Sequence, residues 1–210
     1  APPPPHPRPP RPAGADARRQ LGLDPVRPVL GLFPGSRAQE VKRHWSMFRE
    51  AAARVAADRP QVQLIVAGTK DAEYPDPGAI RVLFGDPLAV FAAADAGICK
   101  SGTTTLEAAI ADLPMVITYR VHAISSFIAR RVVKVRWVGL VNLVAGYEVA
   151  PEFLQANATG EALANAVLPL LDADNATTRR QREGLKLVRE RLGPPGAADR
   201  VAELAAGLLA

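Results

Sequence analysis

The sequence predicts an α/β fold, a Rossmann-like parallel sheet covered by helices, followed by a helical C-terminal tail. Three observations predict it. Short apolar runs of strand length recur at 29–33, 62–67, 80–84, 96–99 and 115–119. Helical patterns separate most of them, the clearest being Val41, Trp45, Phe48, Ala52 and Val55, which share one helix face. Turns of glycine and small hydroxyl residues follow two of the strands directly, at 34–37 and 101–105.

Taken in order, residues 1–12 are mostly proline, interrupted by His6, Arg8 and Arg11. Such a stretch is extended and packs no core, so 1–15 reads as a disordered proline-rich segment. A short helix is expected over 17–21, ending at Gly22. Val29 to Phe33 reads as a buried strand, and 38–57 as a long amphipathic helix. A second strand over 62–67 stops at Gly68, and a third covers 80–84. A short helix over 87–94 leads to a fourth strand at 96–99, a helix over 103–111 and a fifth strand at 115–119. Alternation at this spacing implies right-handed crossovers between parallel strands. Residues 16–174 therefore form the main domain. The chain beyond Thr159 is helical and alanine-rich, with breaks near 172–175 and at Gly193-Pro-Pro-Gly196. In the C-terminal helices of 175–210, the apolar Leu185, Val188, Leu192 and Leu204 are expected to be exposed and to drive self-association.

Composition narrows the class. The 210 residues allow one sizeable domain. Hydrophobic and charged fractions of 48% and 22% are those of an ordinary globular protein. No apolar run approaches the roughly 20 residues of a membrane span, and no signal-peptide pattern opens the chain. A lone cysteine, Cys99, excludes an internal disulfide and fits a reducing cytoplasm. It lies in an apolar strand and reads as an inert buried thiol. A net charge of +5 favours anionic partners. Nucleic acid is not among those expected, because aromatic residues make up only 5% and no stacking platform or binding motif appears.

In open α/β sheets ligands bind at the carboxyl ends of the strands, so the strand-to-helix turns carry the chemistry. Pro34-Gly-Ser-Arg37 precedes the long helix. Gly35 permits a tight turn and close ligand approach, the helix start offers unpaired N–H groups to a phosphate, and Arg37 adds fork-like donors. A plainer reading is a capping box, with Ser36 as N-cap and Gln39 three residues on. The second turn, Ser101-Gly-Thr-Thr-Thr-Leu-Glu107, is dense in small donors that suit a pyrophosphate, and Glu107 could accept bonds from ribose hydroxyls. Here too a capping box, Thr104 to Glu107, is the plainer alternative. Together the turns look like a clamp for a nucleoside diphosphate. Neither a Walker loop nor a G-x-G-x-x-G fingerprint is present, which counts against kinase and dinucleotide readings.

Other features carry less. Asp172-Ala173-Asp174 matches a metal-holding D-x-D only superficially, since aspartates at a helix junction cap and solvate. His44 and His122 lack partners at metal-ligand spacing and read as structural. Residues 122–137 mix Phe127, Ile128, Val132, Val133 and Val135 with Arg130, Arg131, Lys134 and Arg136. This is either a domain helix with a solvated basic face or a contact for phosphorylated lipid or an anionic membrane.

The order of motifs resembles one family. Leu32-Phe-Pro-Gly-Ser-Arg37 with Glu40-Val-Lys-Arg43 is similar to the L-P-G-S-R-x-x-E-[IV] start of the C-terminal domain of lipid-A-disaccharide synthases. Ser101-Gly-Thr-Thr-Thr-Leu-Glu-Ala108, Leu113-Pro-Met-Val116 and Tyr119-Arg120 resemble its S-G-T-x-T-L-E and P-M-V-x-x-Y-[KR]. Asn142-Leu-Val-Ala-Gly146 and Val149 to Gln155 resemble its P-N-L-[IL]-A-G and V-P-E-[LF]-L-Q. The likeness runs from about Asp16 to the end and departs at Val141, where the family has proline.

The resemblance implies the C-terminal, nucleotide-sugar-binding half of a two-domain GT-B glycosyltransferase. Such an enzyme transfers 2,3-diacylglucosamine from UDP-2,3-diacylglucosamine to 2,3-diacylglucosamine 1-phosphate, a phosphorylated lipid acceptor, in lipid A biosynthesis. It needs no cofactor and no metal, and works in the cytoplasm, peripherally on the inner membrane. Carried over position by position, Gly35, Ser36, Arg37, Ser101, Gly102, Thr103 and Thr105 hold the UDP-sugar donor. Glu107 and Asn142 contact nucleotide or sugar, with Glu152 and Gln155 as further candidates, while Arg131 faces the acceptor phosphate or membrane. The catalytic base is expected in the family's N-terminal domain, whose place before residue 16 is taken here by the proline tract. The chain is thus expected to be inactive alone. The alternatives are another UDP-sugar GT-B transferase (the peptidoglycan N-acetylglucosaminyltransferase lacks support, having a G-G-x-G loop not seen here), a UDP-sugar epimerase, or a non-catalytic module for UDP-sugar or anionic lipid.

Overall fold

The computed structural model describes residues 12–85, 87–120 and 136–193. The proline tract before Pro12, the basic stretch of 121–135 with His122 and Arg131, and the segment from 194 with Leu204 lie outside the described residues. Among those described, six strands form one sheet: β1 (Val29–Phe33), β2 (Gln63–Gly68), β3 (Ile80–Phe84), β4 (Ala96–Lys100), β5 (Met115–Tyr119) and β6 (Glu152–Leu154). Their spatial order is β3-β2-β1-β4-β5-β6, and every pairing is parallel. The helices are α1 (Pro12–Gln20), α2 (Ala38–Asp58), α3 (Pro87–Ala93), α4 (Thr104–Ile110), α5 (Leu140–Ala145), α6 (Gly160–Val167) and α7 (Ala176–Leu192).

Both sheet faces are covered, which is why the central strands read as apolar runs without alternation. Every residue of β1 is buried. Leu30, Leu32, Leu64, Val66, Ile98 and Val116 point to one side, against Val41, Trp45, Phe48, Ala52 and Val55 of α2 and Leu163 and Val167 of α6. Val29, Phe33, Ile65, Cys99, Met115 and Ile117 point to the other, against α1, α3, α4, α5 and α7. The period-two alternation of strand side chains sorts one apolar sequence into two separate cores.

The fold departs from the sequence expectation in three places. First, α1 begins at Pro12, because proline is tolerated in the first helical turn, where its missing N–H has no intrahelical partner. The helix is anchored by the buried Arg18, which donates to the Ala93 carbonyl (2.8 Å) and pairs with Asp95 (2.7 Å), itself an acceptor for the Val29 N–H. Second, α5 and the three-residue β6 add an outer flank to the sheet that the strand pattern did not reveal.

The third departure concerns α7. Leu185 and Val188, expected to be exposed, are fully buried in the second core, and Leu192 packs partly against it. Gln181 fixes the helix to the sheet: its amide accepts the Met115 N–H (2.6 Å) and donates to the Met115 carbonyl (3.0 Å), as a neighbouring strand would. Arg189 donates to the Ala109 carbonyl and Arg191 to the Val144 and Ala145 carbonyls, so two cations satisfy the C-terminal ends of α4 and α5. Leu185 and Val188 therefore face the core of this domain.

Candidate functional site

The sheet order reverses between β1, which continues outward to β2, and β4, which continues to β5. At such a switch point the connecting helices leave on opposite faces and a crevice opens beyond the strand ends. A cleft of about 550 Å³ occupies this place, lined by the turns after β1, β2, β3 and β4. Gly35 and Ser36 form one wall, and Thr103, Thr104 and Glu107 another. Gly68 at the end of β2, Thr69 and Lys70 after it, and Gly85 and Pro87 around the start of α3 close the remaining side, over Phe33 and Phe91. Those two rings stack at 4.2 Å between centroids. The turns at 35–37 and 101–105 thus face a common space, although only some of their members line it.

The β1–α2 turn is not a capping box. The N-cap of α2 is Arg37, with no side-chain cap bond, and Ser36 stands outside the helix. The Ser36 N–H donates instead to Glu40 Oε2 (3.2 Å), so the carboxylate one turn into the helix folds back beneath the turn. Gly35 makes this approach possible. Its φ is +129°, and a Cβ there would stand 2.6 Å from Glu40 Oε2. Arg37 is exposed at the helix start, beside the cleft and not among its lining residues.

The other oxygen of Glu40 reaches across to the second turn, accepting from Lys100 Nζ at 2.9 Å. Lys100, the last residue of β4, also stands 5.4 Å from the Tyr119 ring centre. Burial works against ionisation of Glu40, but the Lys100 ammonium, the Ser36 N–H and Arg37 outweigh it and hold the carboxyl below its ordinary range. The sequence offered no sign of this bridge, whose two ends lie 60 positions apart.

The β4–α4 turn also lacks the predicted capping box. Helix α4 is capped at Thr103 with no side-chain bond, so Thr104 is already inside it. Thr103 and Glu107 are exposed to the cleft. Two residues expected to hold the donor turn their hydroxyls into the protein. The Thr105 hydroxyl is fully buried and donates to the Gly102 carbonyl (2.9 Å), and the buried Ser101 hydroxyl donates to the Val138 carbonyl (2.8 Å). Both hydroxyls shape the turn from inside, and Gly102, at φ +149°, lets the chain reverse between them. Lys70 and Thr69 are lining residues that the sequence reading missed. Their strand, β2, is followed by no helix and no hydroxyl-rich motif that would have drawn notice.

Asn142, expected to contact nucleotide or sugar, lies inside the domain. The residue is fully buried. Its amide donates to the Ala150 carbonyl and Glu152 Oε1 (2.8 Å each), and its carbonyl accepts the N–H groups of Val149 and Ala150 (2.8 and 3.0 Å). All of its usual donor and acceptor positions are taken by the protein. Glu152 is committed too, accepting from the Val138 and Gly139 N–H groups at 2.8 and 2.9 Å. Gln155 begins a 3-10 turn at the end of β6 with φ +52° and is not among the residues that line the cleft. Fully buried Asn142 and half-buried Glu152 form a frame that fixes the approach to α5.

His44 is the structural histidine that the sequence suggested. Nδ1 donates to the Glu40 carbonyl (2.8 Å) and Nε2 accepts the Arg120 N–H (3.1 Å), which requires a neutral ring. Burial pushes its pKa down, and the cations Lys100 and Arg43 add to this against the Glu40 carbonyl. Cys99 is fully buried, and burial pushes its thiol far above the range of a nucleophile. Asp172 accepts the Asp174 N–H (2.9 Å) just before α7, which Asn175 caps, so this pair turns the chain as expected.

Residues 8–199 match the lipid-A-disaccharide synthetase family. The chain is 39% identical to the lipid-A-disaccharide synthase of Anaeromyxobacter dehalogenans (strain 2CP-C), over 96% of this chain and 55% of that protein. For the enzyme of Myxococcus xanthus (strain DK1622) the values are 39%, 91% and 52%, and for that of Geobacter sulfurreducens (strain ATCC 51573 / DSM 12127 / PCA) 34%, 92% and 52%. The chain spans about half the length of these curated relatives. Among solved structures it is similar to spinosyn forosaminyltransferase SpnP, with a TM-score of 0.58 at 19% identity over 91% of this chain and 46% of that one. The E. coli ADP-heptose LPS heptosyltransferase II gives a TM-score of 0.50 at 15% identity, over 76% and 51%. At these identities the likeness is one of fold, that of a Rossmann-like domain of GT-B glycosyltransferases.

Proposed function

The chain belongs to the lipid-A-disaccharide synthetase family, and from that premise we propose that it is the donor-binding part of a lipid-A-disaccharide synthase. The observation that carries this reading is the shared cleft. Gly35 and Ser36 from one turn meet Thr103, Thr104 and Glu107 from the other at the point where the sheet order reverses. In this reading the diphosphate of UDP-2,3-diacylglucosamine lies between the two turns. Ser36 and the start of α2 face it, where the helix dipole favours negative charge, and Arg37 and Lys70 reach toward it. Glu107 accepts from the ribose hydroxyls.

The chemistry follows from where charge develops. The acceptor hydroxyl of 2,3-diacylglucosamine 1-phosphate forms a bond to the anomeric carbon of the donor sugar. The bond from that carbon to the diphosphate breaks, its electron pair leaves with UDP, and the hydroxyl proton passes to a general base. The product is a β-1,6-linked disaccharide. Negative charge grows on the departing diphosphate, and preformed amides and cations aimed at it favour the transition state over the ground state. The base and the acceptor site belong to the other domain of a GT-B pair, so the chain by itself binds UDP without transferring sugar. Peripheral contact with the inner membrane is part of the same proposal. Among the described residues no helix is long and apolar enough to cross a membrane.

A coupled UDP-release assay with both lipid substrates tests this. No turnover by the chain alone, and turnover once it is joined to the N-terminal half of a relative, is the expected result. Turnover by the chain alone, or none after joining despite correct folding, contradicts it.

A further inference from the structure

The Glu40–Lys100 bridge does something that the cleft lining alone does not explain. The Gly35–Ser36 turn is anchored by a carboxylate, which is an unfavourable group to place behind a seat for an anion. Lys100 answers that problem. We propose that Lys100 is a positioning residue for the diphosphate: by neutralising Glu40 it allows that carboxylate to hold the Gly35–Ser36 turn without repelling the anion bound in front of it. This rests on the reading of the cleft as a diphosphate seat.

Four observations support it. Helix α2 starts with no side-chain cap, so Glu40 Oε2 is the group that holds the Ser36 N–H. Its second oxygen is occupied by Lys100 Nζ at 2.9 Å, with both side chains largely withdrawn from water (15% and 21% exposed), where a charge pair is screened less than at the surface. The ammonium is itself placed, lying over the Tyr119 ring at 5.4 Å and 3.7 Å from where a Cβ on Gly102 would stand. One cation therefore meets the frame of both turns. Neither Glu40 nor Lys100 lines the cleft, so they act through the turns.

Affinities for UDP and for uridine, measured by NMR titration of the whole chain, separate this role from a merely structural one. Lys100→Met leaves the Glu40 carboxylate unpaired behind the seat and is expected to weaken UDP binding about 10-fold while changing uridine binding less than about 2-fold. Lys100→Arg keeps the charge and is expected to restore UDP affinity to within about 3-fold. The double variant Lys100→Met/Glu40→Gln removes the unpaired carboxylate, keeps an acceptor for Ser36, and is expected to recover most of the loss. The inference is overturned if Lys100→Met binds UDP as the unsubstituted chain does, if it loses UDP and uridine in equal proportion, or if the double variant is no better. An unsubstituted chain that binds uridine but not UDP overturns the diphosphate reading, and this inference with it.

Discussion

Asn142 donates to Glu152 Oε1 at 2.8 Å inside the domain, and this bond joins the first turn of α5 to the first residue of β6. The same asparagine holds two backbone N–H groups and one carbonyl of residues 149 and 150. A motif asparagine in a transferase family invites a ligand-binding role, but here its valences close within the protein.

Replacing Asn142 by alanine leaves these buried partners unsatisfied and is expected to cost about 3–5 kcal/mol of stability. Urea denaturation measures the loss. UDP affinity of the fraction that remains folded is expected to stay within about 2-fold of the unsubstituted value, since the side chain is fully buried and its hydrogen-bonding positions are taken within the protein. A stable Asn142→Ala protein that has lost UDP binding contradicts the structural role.

Helix α7 belongs to the core of this domain. Leu185 is fully buried against it, so Leu185→Ala is expected to cost about 2–5 kcal/mol through lost burial and a residual cavity. Sedimentation of the unsubstituted and substituted chains is expected to show no change of oligomeric state. Dissociation of an oligomer by this substitution would restore the self-association reading.

Gly35 is held by two constraints at once, its φ of +129° and the 2.6 Å left between a Cβ and Glu40 Oε2. Gly35→Ala forces the turn to move and is expected to destabilise the domain by about 1–3 kcal/mol and to weaken UDP binding more than about 10-fold. Thermal denaturation and calorimetric titration read the two effects separately.

Acid weakens the fold in two stages. His44 is held neutral with its pKa pushed below the ordinary 6.5, so the unfolded chain binds the proton first as pH falls. Its stabilisation is complete above 6.5 and is lost as pH drops through that value toward the lower folded one. Glu40, also lowered, contributes fully above its ordinary 4.5 and loses that contribution as pH falls through its folded value. The urea midpoint is expected to be flat from pH 7 to 8, to decline below about 6.5, and to decline further below about 4.5. In His44→Gln the first decline disappears, and its persistence would contradict the assignment.

The sheet was legible because its central strands are buried on both faces and so appear as unbroken apolar runs such as Val29 to Phe33. Helix α2 was legible because Val41, Trp45, Phe48, Ala52 and Val55 keep one face over many turns. Strand β6 was not, since three residues opening with a glutamate carry too little apolar signal, and that glutamate serves a loop. Position in a turn was legible for Gly35 and Thr103, while side-chain direction was not. Ser101 and Thr105 have the composition of ligand donors, yet their hydroxyls bond backward to carbonyls. Likewise the stripe containing Leu185 and Val188 announces an apolar face without saying what covers it. The Glu40–Lys100 bridge depends on β1 and β4 being neighbours, a fact of topology that no local window contains.

The most direct test of the diphosphate seat is an amide-resolved NMR titration of the chain with UDP. Shifts concentrated in Gly35, Ser36 and Arg37, in Gly102, Thr103 and Thr104, and around Thr69 and Lys70, saturating by millimolar UDP, are the predicted result. No shifts at millimolar UDP, or shifts confined to the opposite end of the sheet, would contradict it.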